Sequence, residues 1–244
     1  MTTMNINHEQ LLPDNCFFKN ATKKNLVVLH FTAGRLALPA IETFKRSPAT
    51  QGYPVSTQYV VGLDGVIYRL FDDKYWSYHL GIQGHLGQDH KHDKRSVAIE
   101  IVNVGPLRRR GDQMCYWPPS VKDPNGYYQS SFKSPYCTVA DTEKYVKLNA
   151  AFRYEYYFAS FSHQQIEAVA DLVNDVCTRN EIPKLIPSTD KIFKFDVPYF
   201  QEFEGVTSHV NWRADKTDLA PGQSDPIWNL LMDRHGFKEQ LGPL

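Results

Sequence analysis

The most restrictive stretch of this chain is residues 96–103, Ser-Val-Ala-Ile-Glu-Ile-Val-Asn. Alternation along an extended backbone sends Val97, Ile99 and Ile101 to one face and Ala98, Glu100 and Val102 to the other. So short and apolar a run reads as a buried strand. A carboxylate on such a strand is costly unless it faces a polar cleft. Glu100 is therefore either a partner in a structural ion pair or a group in a cleft. Residues 26–31 form a second compact apolar run that ends in His30-Phe31 and is closed by Thr32-Ala33-Gly34. A histidine at that point is held rigidly, with room above it.

The elements around these two runs are both hairpin-linked and helix-linked. Residues 56–62 and 66–71 flank Leu63-Asp64-Gly65, a hairpin signal. Pro39 stands in the first turn of a helical pattern carried by Leu36, Ala40, Ile41 and Phe44. Ser162 and Gln165 make a capping box, with Phe161 and Ile166 spaced as a hydrophobic staple. The stripe that follows is Ile166, Val169, Ala170, Val173, Val176 and Cys177, ended by Pro183 and Pro187. Residues 193–204 read as irregular, 205–209 as a short strand, and 226–235 as a last helix with Ile227, Leu230 and Leu231 inward. These features predict an α/β fold, a central mixed sheet flanked by helices. Residues 1–24 read as an N-terminal arm or a first helical turn, and 25–244 as one domain. From about 104 to 158 the periodicity breaks into arginines, Pro-Pro and scattered tyrosines, which is long for a connection and predicts an inserted lobe.

Lys and Arg number 27, as do Asp and Glu, so net charge supplies no general attraction to nucleic acid or anionic membrane. None of Cys16, Cys115, Cys137 and Cys177 has the close spacing of a zinc knuckle or redox pair. Cys177 falls on a helical stripe and reads as a buried thiol, while a bridge between Cys115 and Cys137 stays open. The first residues lack a basic region followed by an apolar core, and no run is long enough to span a bilayer. The expectation is synthesis in the cytoplasm without a signal peptide.

Near the C-terminal end, His209 is followed nine positions later by Asp218, with Lys216 between them and Pro221-Gly222 closing the segment. Together with His30 this makes two imidazoles and one carboxylate, the donor set of a hydrolytic zinc site that keeps one open position. Taken singly, a strand-end histidine is more often structural, and an aspartate near Pro-Gly is more often a turn residue. The combination is more specific than its parts.

Five segments in order then resemble the type 2 N-acetylmuramoyl-L-alanine amidases. This superfamily includes phage amidase-lysozymes, bacterial anhydro-muropeptide amidases and animal peptidoglycan recognition proteins. The segments are residues 28–34 (VLHFTAG), 56–65 (STQYVVGLDG), 76–81 (WSYHLG), 96–101 (SVAIEI) and 209–218. The resemblance implies a peptidoglycan recognition protein/amidase-like fold and one zinc ion per chain, held by His30, His209 and Asp218. It implies that Glu100 is the general acid/base and that Lys216 stabilises the oxyanion. His79 would line the cleft near substrate, with Trp76 and Asn103 as further substrate contacts, although a structural hydrogen bond is a comparable reading of His79. The implied reaction is hydrolysis of the amide between N-acetylmuramic acid and L-alanine in peptidoglycan or muropeptides. The protein would act in the cytoplasm on muropeptides, or on the wall after release as a phage lysin or an exported effector.

The chain also departs from the family pattern. Leu219-Ala220 separate Asp218 from Pro-Gly, which leaves Asp215 as a rival ligand. Thr57 stands where some relatives have a tyrosine near the metal, and the 104–158 insertion has no counterpart. His85, His90 and His92 with Asp89 and Asp93 read as an exposed polar loop, and residues 108–110 as solvated arginines by default, with contact to an anionic glycan as the alternative. Two other readings remain: a non-catalytic peptidoglycan-binding module, and a zinc hydrolase of another amide.

Overall fold

The computed structural model describes residues 4–82, 89–117 and 134–240. Its main sheet has six strands. Numbered in chain order, they run β1 (Ile6–Asn7), β4 (Ile67–Arg69), β3 (Tyr59–Val61), β5 (Ser96–Ile101), β2 (Leu26–Phe31) and β12 (Gly205–Ser208) across the sheet. The β3–β4 hairpin is antiparallel and the other four pairings are parallel, so the sheet is mixed, as the sequence predicts. Among the described residues five helices accompany it: α1 (Ala37–Gln51), α2 (Lys91–Arg95), α3 (His163–Arg179), α4 (Val197–Phe200) and α5 (Asp225–His235).

Two cores follow from strand alternation. Val27, Leu29, Val97, Ile99 and Ile101 pack against Val169, Val173 and Val176 of α3 and Ile227 and Leu231 of α5. Fully burying each such side chain contributes about 1.5–3 kcal/mol, so the two central strands are pinned in register by that face alone. The start of α3 is fixed by the capping box. Ser162 Oγ accepts from Gln165 N at 3.1 Å, and Gln165 Oε1 accepts from Ser162 N at 3.0 Å. On the opposite sheet face, Val60 and Val102 pack with Ile41 of α1, and Leu26 and Val28 with Phe200, Phe203 and Trp212. His30 and Glu100 belong to this second face, and they are register partners on adjacent strands. β12 pairs with β2 up to Ser208↔Leu29, which delivers His209 beside His30.

A second sheet is built wholly from the 104–158 region and the residue after it. Its order is β8 (Ser134–Thr138), β7 (Gln113–Tyr116), β6 (Pro106–Arg110), β10 (Glu155–Ala159) and β9 (Tyr145–Phe152), all antiparallel. Arg108 is not simply solvated: it pairs with Glu155 across this sheet at 2.6 Å. β11 (Leu185–Pro187) and β13 (Lys238–Gln240) form a small parallel pair.

Several expectations change. The hairpin strands are shorter than the sequence suggests. The N-terminal segment contributes β1 and one 3-10 turn rather than a helical turn, because Ile6 and Asn7 pair with β4 and Cys16 and Phe17 are buried. In the supposedly exposed polar loop, His92 and Asp93 are buried, held by α2; His85 lies outside the described residues. All four cysteines are free, and the β7–β8 register sets Cys137 against Met114 and Cys115 against Pro135. Cys177 is buried as expected. Among the described residues no helix is long and apolar enough to cross a membrane.

Candidate metal centre and active site

Strand ends and one loop bring the candidate residues together. His30 comes from β2, Glu100 from β5, His209 from the residue after β12, and Asp218 from the loop that follows. The loop is tied at its ends, since Val210 N donates to Asp218 O at 2.9 Å. His30, His79, Glu100, His209, Lys216 and Asp218 line a cavity of about 400 Å³, with Pro106 and Trp117 of the inserted region on its wall. A larger hollow, about 550 Å³, lies beside α3 and α5. Of its charged groups, Glu167 pairs with Arg234 and Asp175 with Arg179, while His235 Nε2 lies 3.0 Å from Asp171 Oδ1, and among the described residues it gathers no set of converging metal donors.

The donor atoms of His30, His209 and Asp218 lie within 4.8 Å of one another, and all three residues are buried. His30 Nδ1 is 2.9 Å from His209 Nδ1; Asp218 Oδ2 is 3.0 Å from His209 Nδ1 and 3.4 Å from His30 Nδ1. The proton positions follow from the partners' donor and acceptor capacity. His209 Nε2 faces the Leu80 carbonyl at 2.9 Å, which can only accept, so Nε2 carries the proton. Ser96 Oγ spends its hydrogen on the His92 carbonyl at 2.8 Å, so it accepts from His79 Nε2 at 2.7 Å. His79 Nδ1 is then bare and accepts from His30 Nε2 at 3.0 Å. In the neutral rings, therefore, both Nδ1 lone pairs point at each other and at a carboxylate. That arrangement is repulsive without a cation between the three groups, and it fits a two-histidine, one-carboxylate zinc site.

Electrostatics agrees with this donor set. Burial, reinforced by His209, lowers His30 to about 4, so its ring is neutral at neutral pH. His79 is lowered well below the usual histidine range, first by burial and then by His30. Burial alone would raise Asp218; His209 and His30 outweigh it only as protonated partners, standing where a bound cation would, and in that state they hold the carboxyl well below the usual carboxylate range. Glu100 goes the other way. Burial and then the charge of Asp218 push it up to about 8, with Lys216 opposing, and its shielded Oε2 has no hydrogen-bond partner among the described residues.

Asp215 also lines the cavity, but it is exposed and chelated by Arg213, at 2.9 Å from Nε and 2.7 Å from Nη2, and its carboxylate is outside the converging set. Other predicted residues stand elsewhere. Trp76 is buried against Phe18 and donates to Asn20 Oδ1, because the extended segment 76–79 turns it away from His79. Asn103 is also buried. It spends its amide on the carbonyls of Ala159 and Ser160, clamping the inserted sheet to β5. Neither lines the cavity. The sequence reading overlooked Ser96, which orders the His30–His79 chain, and Asp93, whose Oδ1 accepts from the backbone N–H groups of His79 and Leu80, both at 3.0 Å. A serine at a strand start and an acid in a charged run give no periodic signal that would mark either.

If His30 ligates a metal, His79→Ala is expected to keep the fold and weaken binding of zinc offered to the site about 10–100-fold, the usual effect of losing the group that orients a ligating histidine. Chelator competition measures this, and unchanged affinity would rule out the orienting role.

The family profile for N-acetylmuramoyl-L-alanine amidase, Amidase_2, matches residues 20–226. No curated protein sequence matches the chain. Among solved structures it is similar to the N-acetylmuramoyl-L-alanine amidase LysC from Clostridium intestinale, at 12% identity over 98% of this chain and 100% of that one, TM-score 0.49. It is also similar to Drosophila peptidoglycan recognition protein SD, at 9% identity over 95% and 92% of the two chains, TM-score 0.44. A third similar structure is Escherichia coli AmiD in complex with anhydro-N-acetylmuramic acid-L-Ala-D-gamma-Glu-L-Lys, at 18% identity over 68% of this chain and 48% of that one, TM-score 0.39. With the profile spanning all the converging residues, this chain belongs to the N-acetylmuramoyl-L-alanine amidase family, as an enzyme of that class.

Proposed function

We propose that this enzyme is a zinc amidase, with one ion per chain, that cleaves the amide between the lactyl group of N-acetylmuramic acid and L-alanine in peptidoglycan or muropeptides. The observation that carries the reading is the pair of facing Nδ1 atoms beside Asp218 Oδ2, in one cavity with the half-buried Glu100, whose shielded Oε2 has no partner among the described residues. His30 and His209, through Nδ1, and Asp218 would hold the ion. Zinc bound there supplies Lewis-acid polarisation of the amide carbonyl and a water acidified toward pKa ~7.

The remaining work falls to the chain's own side chains. Glu100 lines the same cavity as His30, His209 and Asp218, on the strand next to His30, where its carboxylate can meet a water bound there. It takes the proton of the attacking water and returns it to the departing nitrogen, so the C–N bond breaks to give a lactyl carboxylate and a free L-alanine amine. Lys216 lines the same cavity and donates to the carbonyl oxygen as charge develops on it. The Leu80 carbonyl and the His79–Ser96 chain hold the two imidazoles in the tautomer that leaves Nδ1 free. The substrate would be muropeptides or the peptidoglycan of the cell wall.

Digestion of purified peptidoglycan by the zinc-loaded enzyme is expected to release stem peptides with a free L-alanine amine, identified by mass spectrometry. Cut sugars or internally cut peptides would reject the assigned bond.

A further inference from the structure

The inserted sheet reaches the candidate site through one side chain. Arg153 occupies the two-residue turn between β9 and β10, where Phe152 pairs with Glu155. Its Nη1 donates to Arg213 O at 2.6 Å and also to Lys216 O, and its Nη2 donates to Val210 O at 2.8 Å. These carbonyls are spaced three residues apart along the loop from His209 to Asp218, so one planar guanidinium gathers the whole loop from inside. The fork geometry of arginine suits this and the point charge of lysine does not.

The turn itself is unsuited to the residue it carries. Arg153 and Tyr154 have φ values of +50° and +73°, both in the left-handed region. A two-residue hairpin with both φ positive favours Asn-Gly or Gly-Gly. An arginine there bears a conformational cost that the three carbonyl contacts offset, and such outliers point to a function. The sheet also packs on the far end of the same loop: a Cβ on Gly222 would stand 3.0 Å from Val146 Cγ1 of β9, and Gln223 Nε2 donates to Ala159 O of β10 at 2.8 Å.

We propose that Arg153 is a positioning residue, through which the inserted sheet fixes the His209–Asp218 loop and so sets where Asp218 and Lys216 stand in the cavity. This rests on the reading of His30, His209 and Asp218 as zinc ligands. It gives the insertion a task in the family reaction that a chain without the insertion must perform by other means.

The test compares Arg153→Ala, Arg153→Lys, Arg108→Ala and His209→Ala as purified full-length chains. The readouts are metal-free Tm, zinc affinity by chelator competition, the visible spectrum of the cobalt-substituted protein, and kcat and KM on peptidoglycan fragments. Arg153→Ala is expected to bind zinc about 10–100-fold more weakly, as for loss of an outer-shell support. Its cobalt bands should shift, and kcat should fall with KM little changed. Arg153→Lys should fall between Ala and the parent chain. Arg108→Ala, which removes an ion pair within the inserted sheet, should leave zinc affinity unchanged. Arg153 variants that fold with zinc affinity within about twofold of the parent and unaltered cobalt bands would overturn the proposal. An equal loss in Arg108→Ala would also overturn it, by making the effect general to the sheet. If Arg153→Ala does not fold, Arg153→Lys decides alone. Full zinc occupancy in His209→Ala would instead reject the ligand assignment on which the proposal stands.

Discussion

Glu100→Gln is expected to bind zinc as the parent chain does and to lose kcat by about 10²–10⁴-fold, the usual contribution of a positioned general acid/base. The substitution keeps shape and polarity, so β5 should stay in register between β2 and β3. It removes only the capacity to accept and return a proton. The position supports that role over an ion pair, because among the described residues no cation is hydrogen-bonded to the carboxyl and the shielded Oε2 has no partner. A buried carboxylate without a partner weakens a fold, so Glu100→Gln should also leave stability unchanged or slightly raised. Steady-state rates on muropeptide, zinc content and urea midpoints measured on one preparation separate these effects. Retention of more than about a tenth of the parent kcat would remove Glu100 from the acid/base role.

What the sequence could reveal follows from the range of the forces involved. Strand alternation is local, so the two faces of β5 and the placement of His30 and Glu100 on one of them could be read from residues 26–31 and 96–103. The capping box of α3 is local too. The same rule of alternation, applied to residues 76–79, would have set Trp76 and His79 on opposite sides. The motif resemblance grouped them instead, and the structure has Trp76 stacked on Phe18. Other features have no local mark. Arg153 meets its three carbonyls across 57, 60 and 63 residues, and Asn103 reaches Ala159 across 56. The 104–158 region could be recognised as an insertion because its periodicity fails. Its strands pair at short range, but their packing on the loop around Gly222 depends on the main sheet being in place.

The choice between the two aspartates leads to the other large effect. Asp218→Ala is expected to abolish stoichiometric zinc binding and activity, whereas Asp215→Ala should keep both. Asp218 is buried with Oδ2 3.0 Å and 3.4 Å from the Nδ1 atoms of His209 and His30, so its loss leaves two imidazoles and no anion to balance a divalent cation. Asp215 is exposed, and its carboxylate is already taken by Arg213. An exposed pair of this kind contributes about 0–1 kcal/mol, so its removal should cost little. Thermal unfolding with and without zinc gives a readout independent of turnover. An ion bound only by the native state stabilises it by about 4 kcal/mol when free metal is a thousandfold above Kd. The parent chain and Asp215→Ala should both show a zinc-dependent rise in Tm, and Asp218→Ala should show none. The reverse pattern would make Asp215 the third ligand. That would require the Arg213 pair to open and the loop to refold around Arg153, since three of the loop's carbonyls are held by that one side chain.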